Sequence, residues 1–197
     1  MGELNITLLG STGSIGRSTL DVLEGLQVRG VEVRVAALTA RTSVVRLAEQ
    51  ARRWQPELAV IADPSLRGEL EGALERGASR TRVATGMEGL VEAAVHPEAD
   101  QVVNALVGGV GLVPTVRALE RKKRVALANK ETLVVGGGLV TRLAGRAVRD
   151  RDSLLLPVDS EHSALLQALG EHPDEEVERL VLTASGGPFR DTPVEAF

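Results

Sequence analysis

The chain has 197 residues, of which 43% are hydrophobic and 25% charged, and its formal net charge is −4. This suits one sizeable globular domain, or one domain plus part of another, and implies no general affinity for nucleic acid. Cysteine is absent, which excludes disulfides and thiolate chemistry.

With two Phe, one Trp and no Tyr, the core must be built from aliphatic side chains. Such runs suit parallel strands covered on both faces by helices. Neither a basic-then-apolar leader nor a run of membrane-spanning length is evident. The expectation is a cytoplasmic protein with no membrane partner.

Apolar segments and helical periods alternate along the chain. A strand is predicted over 6–9, a helix from 14 to about 26, and a strand over 31–39. Helical spacing over 43–54 puts Val44, Leu47, Ala48 and Ala51 on one face. After a strand over 58–62, Asp63-Pro64 opens a helix, with Asp63 as N-cap and Pro64 in the first position.

Further strands are predicted over 81–85, 101–106, 124–128, 154–158 and 180–184. The helices between them cover 87–95, 113–120, 132–148 and 163–169. Gly136-Gly137-Gly138 interrupts the longest of these. Thr192-Pro193 reads as another N-cap and first-position Pro, with Phe197 the last residue. One turn is a marginal helix, so the expectation is a chain cut from a longer protein. The alternation predicts βαβ units and a mainly parallel sheet.

Gly10-Ser11-Thr12-Gly13-Ser14-Ile15-Gly16 follows the first strand and opens a helix. Its G-x-x-G-x-x-G spacing is a variant of the dinucleotide fingerprint. Glycines there allow a tight turn and close approach of the backbone to a pyrophosphate. Amides at the helix N-terminus then face the phosphates. A purely structural strand-to-helix turn is the alternative. The expected fold is α/β, Rossmann-like and doubly wound.

Ala40-Arg41-Thr42-Ser43 ends the second strand. NAD-preferring proteins commonly carry an acidic residue there for the ribose 2′-hydroxyl. Arg41 and Ser43 instead suit the 2′-phosphate of NADP. Alternatively, Arg41 is a solvated loop residue and Ser43 caps the next helix.

Pro157-Val158-Asp159-Ser160-Glu161-His162 ends a predicted strand. If the extended backbone persists, Asp159 and Glu161 point the same way and offer hard oxygens to Mg²⁺ or Mn²⁺. His162 then faces away and reads as structural. Spacing equally allows the two carboxylates merely to cap the following helix. Asn129 and Lys130 lie at the C-terminal sheet edge, where open α/β sheets bind ligands. Lys130 suits a substrate hydroxyl, a phosphate or a developing oxyanion, or is simply solvated. Ser185-Gly186-Gly187 offers a phosphate cradle or a plain turn. Arg121-Lys122-Lys123-Arg124 reads as a solvated turn.

Four stretches carry a family resemblance: 10–16, Leu127-Ala128-Asn129-Lys130-Glu131, Pro157 through His162, and Ser185-Gly186-Gly187-Pro188-Phe189-Arg190. In order and approximate spacing the set resembles 1-deoxy-D-xylulose 5-phosphate reductoisomerase, over essentially the whole chain. The resemblance implies NADPH and a divalent metal, Mn²⁺ or Mg²⁺. It implies conversion of 1-deoxy-D-xylulose 5-phosphate to 2-C-methyl-D-erythritol 4-phosphate in non-mevalonate isoprenoid biosynthesis.

Carried over by motif, the cofactor residues are Thr12, Gly13, Ser14, Ile15, Asn129 and Glu131, beside Gly10 and Gly16 of the glycine turn itself. The metal ligands are Asp159 and Glu161. Lys130, Ser160, Glu161 and Ser185 meet the sugar-phosphate substrate, with Lys130 and Glu161 catalytic. Arg41-Thr42-Ser43 departs from the glycine and asparagine usual in that loop.

The resemblance divides the chain into a cofactor domain over 1–152 and the start of a metal-binding α/β catalytic domain over 153–197. It implies a homodimer for the longer family protein. The resemblance also implies that the longer family protein carries a third carboxylate ligand, a mobile loop and a C-terminal helical domain outside the matched stretches. Two other readings remain: an NADPH-binding module without catalysis, and a homoserine-dehydrogenase-like enzyme. The Asp159-Ser160-Glu161 run argues against the second.

Overall fold

A computed structural model describes residues 3–75, 77–78, 80–145, 153–170, 174–181 and 191–196. Strands β1 (Leu4–Leu9), β2 (Val33–Ala40), β3 (Leu58–Ile61) and β4 (Arg82–Thr85) alternate with helices α1 (Ser14–Val28), α2 (Val44–Trp54), α3 (Arg67–Leu74) and α4 (Gly86–Ala94). Then follow β5 (Gln101–Asn104), α5 (Leu112–Glu120), β6 (Arg124–Leu127), α6 (Glu131–Ala144), β7 (Leu155–Pro157) and α7 (Ser160–Leu169).

The seven strands form one sheet in the order β4-β3-β2-β1-β5-β6-β7, and every pairing is parallel. The fold is therefore Rossmann-like. The chain winds outward from β1 to β4, then crosses back to place β5 on the other side of β1. That reversal leaves a crevice at the carboxyl ends of β1 and β5, the position at which such sheets bind ligands.

Alternation along each strand divides the core into two layers. Leu8, Leu38, Ala59 and Ile61 face α1, α2 and α3, packing with Leu20, Leu23, Leu47 and Leu70. Leu9, Ala37, Leu58 and Val60 face the other way, packing with Leu90, Leu119 and Val140 of α4, α5 and α6. The predicted inner face of α2 is buried at all four positions. Each buried leucine contributes roughly 1.5–3 kcal/mol, so this two-sided, mainly aliphatic core, with Trp54 packed at its margin, holds the strand ends in register.

Asp63 does act as an N-cap: its side chain accepts from the Ser65 amide at 3.0 Å. The turn it opens is a 3-10 turn, Pro64–Leu66, that leads into α3.

Three expectations change. The helix predicted over 132–148 stops at Ala144, where Gly145 takes φ +82. It also kinks at Gly136, whose missing side chain leaves room for Leu112; a Cβ there would lie 2.5 Å from Leu112 Cδ1. The strand predicted to run through Val158 ends at Pro157, and α7 begins at Ser160 rather than Ser163. Leu180 and Val181 lie in no regular element, and the remainder of that predicted strand is outside the described residues. The turn after Thr192-Pro193 is a 3-10 turn, Val194–Ala196.

Candidate functional site

The glycine turn opens directly onto the crevice. Gly10 takes φ +82, and a Cβ at this position would sit 2.7 Å from the Ala105 carbonyl oxygen on β5's side. A Cβ at Gly16 would sit 2.6 Å from Ser11 Cα. Both positions therefore require glycine: the first for backbone conformation and contact, the second for packing of α1 on the turn. Gly13 is different. A Cβ would meet only Gly10 O, at 3.5 Å, so its bareness leaves surface for a ligand to approach.

Ser14, Ile15 and Gly16 form the first turn of α1, whose amides lack partners within the helix. No acidic residue lies in that turn, so its positive dipole end is uncompensated and favours an anion.

A cleft of about 740 Å³ lies over this turn. Gly10, Thr12, Gly13 and Arg41 line one side, with Leu106, Val107 and Val110 on the other. Of the two second-strand residues read from the sequence, Arg41 borders the cleft. Ser43 sits exposed at the N-cap of α2 and makes no capping hydrogen bond. Arg41 is near enough to Asp63 to help hold its carboxyl below the usual range, behind the larger effects of the Ser65 hydroxyl and amide.

Asn129 is almost wholly buried. Its amide nitrogen donates to Leu106 O at 2.8 Å, Gly108 O at 3.0 Å and Glu131 Oε2 at 3.2 Å, and its Oδ1 accepts from the amide and hydroxyl of Thr132. Asn129 thus pins the loop after β5, which walls the cleft, to the start of α6. Gly111 is required beside it, since a Cβ would lie 2.6 Å from Asn129 Oδ1. This bracket has no local sequence signature beyond a polar residue after an apolar strand.

Registers Asn104↔Leu127 and Leu127↔Pro157 bring the ends of β5, β6 and β7 side by side. Lys130 and Asp159 therefore meet at the same sheet edge, with Lys130 Nζ 3.2 Å from Asp159 Oδ2. Burial alone raises the Asp159 carboxyl; hydrogen bonds from Lys130 and the His162 amide outweigh it and hold the group below its ordinary range. Asp159 in turn holds the Lys130 ammonium above its ordinary range.

The extended-backbone argument for Asp159 and Glu161 does not hold. Asp159 is the N-cap of α7, accepting from His162 N at 3.4 Å, and Glu161 lies inside the first turn. Helical geometry also returns His162 to the carboxylate, with Nδ1 3.3 Å from Asp159 Oδ1, rather than facing it away. Ser160 donates to Glu161 Oε2 at 2.5 Å. Among the described residues, no group of three or more His, Asp or Glu side chains stands ready to hold a metal. Ser185 lies outside the described residues.

The family model for 1-deoxy-D-xylulose 5-phosphate reductoisomerase matches residues 6–137, and the model for that enzyme's C-terminal domain matches 155–197. The chain belongs to the 1-deoxy-D-xylulose 5-phosphate reductoisomerase family. The reductoisomerase of Chlorobaculum tepidum is 49% identical over 97% of this chain and 48% of its own length. A solved reductoisomerase from Zymomonas mobilis, in complex with NADPH, superposes with a TM-score of 0.81 at 46% identity, covering 97% of this chain and 48% of that one. Another, in complex with NADPH, fosmidomycin and magnesium, gives 0.72 at 36% identity, over 81% and 37%. The chain spans about half the length of the curated reductoisomerases it matches.

Sequence reasoning missed the residues that hold the glycine turn from behind: Thr39, Arg46 and Gln50. Thr39 Oγ1 accepts from Gly10 N at 2.8 Å. The available signals were a hydroxyl at the end of the apolar run of β2 and polar residues flanking the buried face of α2.

Proposed function

We propose that this chain is the NADPH-binding part of a reductoisomerase that converts 1-deoxy-D-xylulose 5-phosphate to 2-C-methyl-D-erythritol 4-phosphate. The observation that carries the reading is the glycine turn at the sheet's crossover crevice, with Arg41 on its rim. The Thr12 amide and the first-turn amides of α1 take the pyrophosphate, with Thr12, Gly13, Ser14 and Ile15 around it. Arg41 and Ser43 attract the 2′-phosphate. Asn129 and Glu131 close the far wall.

The Lys130–Asp159 edge is the proposed substrate side. Lys130, Ser160 and Glu161 meet the sugar phosphate, Ser185 supplies a further contact, and Lys130 and Glu161 act in catalysis. Asp159 and Glu161 are the proposed ligands of Mg²⁺ or Mn²⁺. The donor chemistry fits: two hard carboxylates lie in one turn, and the Lys130 ammonium already stands as a cation against Asp159. When bound, the metal polarises a substrate carbonyl as a Lewis acid. Asn129 keeps the two halves of the site in fixed relation, and Lys130 donates to a substrate oxygen.

The cofactor domain over 1–152 and the catalytic segment from 153 divide this work. A homodimer of the longer protein, a cytoplasmic setting and a role in isoprenoid synthesis complete the reading. Among the described residues, no helix is long and apolar enough to cross a membrane. The test is NADPH oxidation by the longer protein with 1-deoxy-D-xylulose 5-phosphate and Mn²⁺. Oxidation that needs both supports the proposal, while turnover of homoserine in their place overturns it.

A further inference from the structure

Behind the glycine turn, α2 presents two polar side chains one helical turn apart, Arg46 and Gln50. Arg46 Nη1 donates to Thr12 O at 3.2 Å. Gln50 Nε2 donates to Ser11 O at 2.9 Å, and its Oε1 accepts from Ser11 Oγ at 2.6 Å. Residues four apart lie on the same helix face, so α2 grips two consecutive carbonyls of the turn. Ser11 is fully buried, and its amide also donates to Thr39 O at 2.8 Å.

A trans peptide is planar, with its C=O and N–H pointing in opposite directions. Anchoring Ser11 O towards α2 therefore aims the Thr12 amide away from α2. Thr12 lines the cleft. The same anchoring draws both carbonyl dipoles back from the place an anion would occupy.

We infer that Gln50, assisted by Arg46, is a positioning residue for the cofactor pyrophosphate: it orients the Thr12 amide without touching the ligand. This rests on the reading that the turn takes NADPH. Gln50 is half-buried beside its turn, and its replacement by methionine preserves length and neutrality while removing both hydrogen bonds.

The test is calorimetric titration of the unaltered chain and Gln50→Met with NADPH, ADP and adenosine 2′-monophosphate. Loss of one such anchor weakens NADPH and ADP by about tenfold, while adenosine 2′-monophosphate, which has no pyrophosphate, binds the variant as before. In amide NMR spectra, ADP moves the Thr12 resonance of the unaltered chain and leaves that of the variant nearly in place. Equal NADPH affinity in both proteins overturns the inference and leaves the cofactor reading standing. Parallel loss of all three ligands assigns Gln50 a merely structural role and also overturns it. Failure of the unaltered chain to bind NADPH overturns the cofactor reading, and the inference with it.

Discussion

Lys130 and Asp159 form an ion pair across the ends of adjacent strands, with Nζ 3.2 Å from Oδ2, although 29 residues separate them. Asp159 does two further things: it caps α7 through the His162 amide and lies beside the His162 ring. One carboxylate thus couples the Lys130 segment to the first turn of α7.

Replacing Lys130 with methionine removes the largest influence holding Asp159 down, and the carboxyl then titrates at higher pH. Carboxyl-carbon NMR of Asp159 in the two proteins checks this. An unchanged titration would contradict the pairing. The sign for stability follows: a depressed carboxyl stabilises the fold above its unfolded value near 3.8 and loses that contribution as pH falls through the depressed value.

Two glycines of α1 should respond oppositely to alanine. Gly16→Ala forces a Cβ against Ser11 Cα and should cost about 1–3 kcal/mol. Gly25 has open space around the position of a Cβ, so Gly25→Ala should stabilise by about 0.5–1 kcal/mol through helix propensity. Urea denaturation of both variants measures the difference. A Gly16→Ala chain as stable as the parent would show that the turn is looser than described.

His96 lies at the opposite end of the sheet. Burial lowers its pKa most, Lys123 and Arg34 lower it further, and Glu57 and Glu98 oppose them. The folded state prefers neutral imidazole, so its stabilising effect is complete above the unfolded value of 6.5 and falls as pH drops below it. Stability measured between pH 7.5 and roughly pH 5 should therefore decline on acidification, and His96→Gln should flatten that slope. An unaltered slope in the variant would remove His96 as its cause.

The sheet was legible because its signal is local. Leu58–Ile61 is a short apolar run between turn residues, and α2 carries its buried face at i, i+3, i+4 and i+7. The glycine turn was legible because backbone constraints at Gly10 and Gly16 demand a residue without Cβ. What could not be read was long-range pairing. Gln50 and Ser11 are 39 positions apart, and Asn129 and Leu106 are 23. Nothing in either neighbourhood announces the partner. Spacing left Asp159 and Glu161 open between extended and helix-capping arrangements; the extended backbone ends at Pro157, and Asp159, a good N-cap, takes the capping one and starts the helix early.

Arg41 provides the most direct handle on the cofactor. Its charge borders the cleft proposed for the cofactor. Arg41→Asp should weaken NADPH by about tenfold or more and leave NADH little changed, since a cation is exchanged for a repelling carboxylate near the phosphate. Equal effects on both would detach Arg41 from cofactor choice.

The measurement that bears most directly on the central claim is a titration of the unaltered chain with NADPH and NADH under identical conditions. Saturable NADPH binding that is tighter than NADH binding, and abolished by Gly10→Val, is the predicted result. Absence of NADPH binding, or equal binding by the Gly10→Val chain, would contradict it.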